Sequence, residues 1–375
     1  MFAPTEIPNV GTDLRVCPDD FKPCQKGDII MEQQKKGKWK NSLSIKVVGV
    51  GGAASNAVSN MFKIGVKGIE EFLCIDTDIQ QLNRFKANVK ILPIGFKVTG
   101  GFSTGTNPEL GRMAAEENCR DIAEAFEGAD MIFIIACMGG GAGTGASHVI
   151  AEIARNTGAL TIGVVTKPFP FEIRQNTQKV KIANEGMEKI KKHVNTLITL
   201  SNEKLLKIIY NKSPSLQVLE KVDGIEEVIK DIFFSSFLQV LKSSDDMLIE
   251  AIRGISDLIG MPGDIAIAFP DIRNVMCSAN DDFTYMGIGT GTGNHRAINA
   301  AIASITSPLL EESLKRSRWV IANIKEGGTI STSDINSIYE IFLGAAKSNS
   351  TVVVGTTLDE TMEDDIIKIT VFVST

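Results

Sequence analysis

The chain has 375 residues, 43% hydrophobic and 22% charged, which is enough for two packed domains of an ordinary water-soluble protein. Its net charge of −6 excludes general nucleic-acid affinity, which needs a basic face to displace counterions. No apolar run of about 18 residues and no basic-then-apolar leader occur, so neither a transmembrane helix nor a signal peptide is expected.

Aromatic residues make up only 6%, so an aliphatic core is expected. Six cysteines, at 17, 24, 74, 119, 137 and 277, form no C-x-x-C and read as reduced thiols of a cytoplasmic protein. The Cys17–Cys24 pair, with three histidines in the chain and no second cysteine pair, is too little for a metal site.

Residues 1–40 read as a disordered arm. Its tract Lys35-Lys36-Gly37-Lys38-Trp39-Lys40 has the chemistry for a weak contact with an acidic membrane surface or partner, and equally that of a solvated linker. From Ser44 the pattern becomes strand, glycine turn, helix. Strands are predicted at Ser44–Val50, Glu71–Asp76, Met131–Cys137 and Leu160–Thr166. Helices are predicted from Ser55, over Pro108–Glu127 and over Ser147–Asn156. This alternation predicts a mainly parallel sheet covered on both faces. Residues 213–260 read as helix. From about Asp264, strands at Arg318–Ile324, Thr351–Gly355 and Ile366–Val373 with helices at Ala297–Ile305 and Ser333–Ala346 predict a second, smaller α/β domain. The adjacent blocks Ser213–Phe234 and Ser235–Ser256, 22 residues each, share Leu-Gln-Val-Leu and an Asp (Asp223, Asp245) at equal offsets. A tandem duplication accounts for this; chance similarity of two amphipathic stretches is the alternative.

Two glycine-rich loops each follow a strand. They are Gly49-Val50-Gly51-Gly52-Ala53-Ala54-Ser55-Asn56 and Gly139-Gly140-Gly141-Ala142-Gly143-Thr144-Gly145. Glycine lets backbone N–H groups approach an anion closely at a positive helix end. The first loop, with Asp76 about 25 residues on, also fits a dinucleotide fingerprint in which Asp76 holds a ribose hydroxyl. A nicotinamide-type enzyme therefore stays open at this point. The second loop, with five glycines in seven residues, suits a triphosphate, which needs donors from more than one loop. No G-x-x-x-x-G-K-[ST] is present, so backbone amides rather than a Walker lysine would carry the phosphates.

Gly139–Gly145 resembles the G-G-G-T-G-[TS]-G signature of the tubulin and FtsZ superfamily, nearer to FtsZ than to tubulin, and the resemblance runs from about Ser44 to Val373. Asp76-Thr77-Asp78, Gly105-Thr106-Asn107-Pro108-Glu109, Thr166-Lys167-Pro168-Phe169 with Phe171-Glu172, and Ser201–Leu206 resemble further family segments in order. Ser307–Glu311 and Val354–Asp359 resemble the C-terminal part. The resemblance implies an α/β fold: a Rossmann-like GTPase domain over 41–212, a central helix within 213–260 and a polymerisation domain over 261–375. It implies GTP or GDP with Mg²⁺, and head-to-tail self-assembly. Gly51, Gly52, Gly140, Gly141, Gly143, Thr144 and Gly145 would cradle the phosphates, Ala53, Gly139 and Ala142 would line the nucleotide in the same loops, and Gly105, Thr106 and Asn107 would lie in a loop near the γ-phosphate. Asp76 and Asp78 belong to the second loop. Asn56 and Asp246 would meet guanine, Leu241 would cover it, Glu172 would hold the ribose, and Lys179 aligns with a family arginine.

The departures bear on catalysis. In the family, a loop N-x-D-F-A-D from the next subunit completes the active site. The matching stretch here is Ala266-Ile267-Ala268-Phe269-Pro270-Asp271. Asp271 remains as the candidate catalytic residue, while the Asn and the first Asp have become Ala266 and Ala268, which neither orient water nor accept a proton. Slow hydrolysis is expected, with a non-hydrolysing nucleotide-bound oligomer as the alternative. The sequence ends at Thr375 without the family's linker and tethering peptide, so tethering is expected to be absent or to fall to another part, such as the arm.

Overall fold

The computed structural model describes residues 43–205, 226–278, 282–310, 314–328 and 330–375, with the side chains of Phe171 and of residues 226–241 excluded. The arm, its basic tract, Cys17, Cys24, the first part of the repeat and the Leu241 side chain lie outside this description.

Among the described residues, ten strands share one sheet. They are β1 Ile45–Val50, β2 Glu71–Asp76, β3 Lys90–Pro93, β4 Met131–Cys137, β5 Leu160–Lys167, β6 Thr196–Ser201, β7 Phe283–Thr292, β8 Trp319–Glu326, β9 Thr351–Leu358 and β10 Ile366–Ser374, in the order β3-β2-β1-β4-β5-β6-β7-β10-β8-β9. Strands β1 to β6 pair in parallel, and β6 continues in parallel into β7 through Leu197–Thr199 and Phe283–Tyr285. β10 is antiparallel to both β7 and β8.

The unbroken apolar runs that mark β1, β4 and β5 reflect burial on both faces. In β4, Met131, Phe133 and Ile135 join one core while Ile132, Ile134 and Ala136 join the other. The first core lies under α1 Gly52–Lys63 and the long α9 Glu226–Gly260. The second lies under α4 Pro108–Glu117, α5 Cys119–Phe126, α6 Gly141–Asn156 and α8 Gln178–Lys191. Short helices α2 Ile79–Asn83, α3 Phe96–Thr99 and α7 Pro170–Gln175 fill connections, and α10 Phe269–Cys277, α11 Arg296–Ile305 and α12 Thr332–Ala345 complete the set. At 1.5 Å per residue, α9 is about 52 Å long and spans the whole of the second repeat block.

Three elements differ from the sequence reading for identifiable reasons. The helix expected over Pro108–Glu127 breaks at Asn118, whose Oδ1 accepts the Gly95 N–H at 2.8 Å while its Nδ2 donates to Asp121. The helix expected from Ser147 begins at Gly141, so glycines fill its first turn despite their poor propensity. Strand β7 was unread because it carries Gly287, Gly289 and Gly291. A Cβ on any of these would lie under 3.0 Å from a backbone carbonyl oxygen of Ser304, Ala300 or Arg296. The alternating glycines let α11 lie flush on the strand.

Candidate functional site

The strand order reverses between β1 and β4, whose ends lie side by side at Val50 and Ala136. In an open α/β sheet, the crevice beyond the strand ends at such a point is where ligands bind. Both glycine-rich turns emerge there. Gly51 caps α1 with φ 84 and Gly140 caps α6, and neither supplies a side-chain bond to the first-turn amides. Those amides, at Gly52–Ala54 and Ala142–Gly143, have no intrahelical acceptor and sit at the positive ends of helices of 12 and 16 residues.

The turns are packed backbone against backbone. A Cβ on Gly51 would meet the Gly143 N at 3.0 Å. A Cβ on Gly141 or Gly145 would lie under 3.0 Å from the carbonyl oxygen of Asn107 or Pro108. Gly141 N–H donates to Gly105 O at 2.7 Å, and Gly139 N–H donates to Thr144 Oγ1 at 2.9 Å. By contrast, a Cβ on Gly105 or Gly140 would face open space. The tight glycines build the cradle and the open ones line it. Asn107 caps α4 by accepting from Glu109 and Leu110 amides, and exposed Thr106 lies beside it.

Asp78 caps α2, accepting the Gln81 N–H at 3.1 Å, and Gln81 in turn reaches over Gly52. Asp76 is buried, and its Oδ1 accepts from Thr77 at 2.7 Å and Asp78 at 3.4 Å. Burial raises its pKa, opposed by those two amides. Its carboxylate holds the turn after β2 together.

Exposed Asn56 on α1 and exposed Asp246 on α9 lie on two helices that pack together. A pairing that the sequence did not reveal joins the helices: Asn60, one turn on from Asn56, donates to Asp245 Oδ2 at 2.8 Å. Burial pushes the Asp245 pKa up to about 6, the Asn60 bond opposes this and the Asp246 charge adds to it. A second unread link runs from Ser244 Oγ to Asn202 Oδ1 at 3.0 Å, and from Asn202 to Lys167 O at 2.8 Å, tying α9 to the end of β5. Glu172 and Lys179 meet as a 2.9 Å ion pair, and the other Glu172 oxygen accepts the Phe169 N–H at 3.0 Å. Both Glu172 oxygens therefore serve local structure at α7.

The Tubulin/FtsZ family, GTPase domain, matches residues 44–210, and the FtsZ family, C-terminal domain, matches residues 283–375. The structure resembles an empty FtsZ dimer from M. jannaschii with a TM-score of 0.76 at 31% identity, covering 92% of this chain and 91% of that one. The chain belongs to the tubulin/FtsZ family. A GDP-bound CetZ1 monomer from Haloferax volcanii shares the fold with a TM-score of 0.68 at 13% identity, over 88% of this chain and 94% of that one. A GTPγS-bound CetZ2 protofilament from the same organism gives 0.65 at 16%, over 88% and 92%. No helix among the described residues is long and apolar enough to cross a membrane.

In this member of the family the stretch Pro262–Ala268 runs along β9. Leu358 N–H donates to Pro262 O at 2.9 Å, Thr356 N–H donates to Ile265 O at 3.0 Å, and Ile265 N–H donates to Thr356 Oγ1 at 2.8 Å. Its side chains alternate: Ile265, Ile267 and Phe269 are half-buried, while Asp264, Ala266, Ala268 and Pro270 are exposed. Ile267 packs where β9 has Gly355. Asp271, in the first turn of α10, is exposed. The two alanines thus stand outward at positions free to meet another molecule.

Behind this stretch Glu326 is 4% exposed, and its Oε2 is without a hydrogen-bond partner among the described residues. Burial, then the Asp264 charge, pushes its pKa up to about 7, with Arg296 opposing. Unfolded, this carboxyl titrates at an ordinary 4.5, so the folded chain holds the extra proton between those values. Stability therefore falls as pH rises from about 4.5 through 7 and the deficit is complete above it. Glu326→Gln is expected to raise the Tm by about 2 °C at about pH 8 and to leave it unchanged at about pH 5, measured by thermal scans at both values.

Proposed function

We propose that this chain binds GTP in the crevice between the two glycine turns and assembles head to tail into filaments that hydrolyse it slowly. The observation that carries the reading is the pairing of an uncapped, glycine-built anion cradle with an outward-facing loop bearing alanines. First-turn amides of α1 and α6 would hold the phosphates, with Gly105 and Gly140 giving them room. Asp246 suits the two N–H donors of guanine, because an ionised carboxylate only accepts.

Among the described residues no cluster of three His, Cys, Asp or Glu could hold a metal. That fits Mg²⁺ bound mainly through phosphate oxygens and water. The ion would neutralise charge on the phosphates. In this reading a second copy brings Asp271 to the nucleotide, while Ala266 and Ala268 leave the attacking water poorly held. Assembly followed by light scattering with GTP and with GDP, alongside phosphate release, tests the whole reading. Nucleotide-independent assembly without release would favour the structural-oligomer alternative.

Two exposed aromatics precede the Gly105 loop. Phe96 and Phe102, 66% and 69% exposed, flank Gly100 and Gly101 just before Gly105. Contact between such aromatics and the alanine-bearing loop of a second copy would bury both. Phe102→Ser is expected to raise the critical concentration for assembly about tenfold while leaving GTP affinity unchanged, as read by pelleting and nucleotide binding.

A further inference from the structure

Two successive residues of α9 are tied to different neighbours. Ser244 Oγ donates to Asn202 Oδ1 at 3.0 Å, and Asn202 Nδ2 donates at 2.8 Å to the carbonyl of Lys167, the last residue of β5. Asp245 Oδ2 accepts from Asn60 Nδ2 on α1 at 2.8 Å. The next residue, Asp246, is exposed. We infer that Asp245 and Asn60 are positioning residues for guanine: their hydrogen bond fixes α9 against α1 so that Asp246 is aimed at the base. The inference rests on the nucleotide reading above.

Side chains on an α-helix step round its axis by about 100° per residue. Ser244, Asp245 and Asp246 therefore leave α9 in three directions. The first two are taken, by the end of β5 and by α1, and they dictate the third. At this point α9 can neither rotate nor slide without breaking one of the two bonds. The apolar residues that follow, Met247, Leu248 and Ile249, are buried and hold the helix to the core. Apolar burial is non-directional, so the register falls to the polar pairs.

The order along α1 places the bond beside the base. The first-turn amides at Gly52–Ala54 form the phosphate end, Asn56 follows one turn later and Asn60 one turn after that, about 6 Å further along the axis. Asn56 and Asn60, four residues apart, share a face of α1. The Asn60–Asp245 bond thus sets the gap between the helices a single turn from Asn56. The Asp245 carboxylate is half-buried, and a charged acceptor partly withdrawn from water holds its donor more firmly than an exposed one.

Guanine offers its N1–H and its 2-amino group side by side, and a carboxylate accepts from both only when it is aligned with the edge of the base. The contact with the 2-amino group therefore reports the aim of Asp246. Inosine triphosphate lacks that group and otherwise matches GTP.

The full chain is expected to bind GTP about tenfold more tightly than inosine triphosphate, as the loss of one hydrogen bond to a charged group implies. Asn60→Ala and Asp245→Ala are each expected to cut the preference to about twofold, and the double variant to do no more than either, because the same bond is lost in all three. Asp245→Asn keeps an acceptor for Asn60 and is expected to keep the preference. Thermal scans accompany the binding measurements. A pair that serves stability alone lowers the Tm and weakens both nucleotides equally, leaving the ratio unchanged. Should Asp245→Ala fail to melt cooperatively, Asn60→Ala carries the test, since alanine suits a helix interior. An unchanged ratio in the folded alanine variants, or a ratio lost in Asp245→Asn, overturns the positioning role while GTP binding by the parent stands. A parent that binds both nucleotides alike overturns the assignment of Asp246 to guanine. A parent that binds neither overturns the nucleotide reading itself.

Discussion

Ala268→Asp is expected to raise phosphate release per assembled subunit roughly a hundredfold, the lower end of what a positioned general base contributes. Position 268 faces outward in a stretch whose neighbours alternate inward and outward, so a carboxylate there is presented to a docking molecule rather than to the core. The same position is the cap of α10, with φ −71 and ψ 142 and no side-chain bond to the first-turn amides. An aspartate there has a second use, because capping a helix stabilises it by about 1 kcal/mol. The two uses separate in measurement. Release and melting temperature rising together means the carboxylate serves both. A higher melting temperature with unchanged release means the cap holds the carboxylate, and the inference about the loop fails. Ala266→Asn, exposed on the same side and not at a cap, provides the control.

The sequence revealed the crevice better than the contacts around it. Unbroken apolar runs located β1, β2, β4 and β5 to within a residue, because double-sided burial leaves no ambiguity of period. Glycine clustering located both turns. It could not show which glycines are tight and which are open, since that depends on α4 lying against α6, a contact between segments about 35 residues apart. Glycine also misled, hiding β7, where alternate glycines serve helix packing rather than a turn.

Polar pairs were the least legible part. Asn60 and Asp245 are 185 positions apart, and nothing in either neighbourhood announces the bond. The register of the family pattern points to Asp246, and its neighbour Asp245, whose burial lifts its pKa, stands out in the sequence only as a repeat position. Glu172 carries contacts that the sequence did not announce: the resemblance gives it a ribose, and in the fold its two oxygens also meet Lys179 and the Phe169 N–H at α7. In the nucleotide reading, each Glu172 oxygen keeps a lone pair for a sugar hydroxyl beside these contacts.

The contrast between Gly145 and Gly140 gives the second large effect. Gly145→Ala places a methyl in severe overlap with the Pro108 carbonyl oxygen and 2.9 Å from the Arg112 N, both backbone atoms with no rotamer to yield. Helices α4 and α6 must separate, at a cost of about 3 kcal/mol, typical of severe overpacking. Nucleotide binding is then lost together with stability. Gly140→Ala meets nothing within 4 Å, and its φ of −93 suits any residue, so the fold is expected to melt as the parent does. Its methyl nonetheless projects from the cap of α6, into the space that the phosphates require. GTP affinity is expected to fall at least tenfold at unchanged stability, a loss of about 1.4 kcal/mol. Thermal scans and nucleotide binding on the two variants decide the matter. Full GTP affinity in Gly140→Ala would move the phosphates away from the α6 terminus, and with them the proposed site.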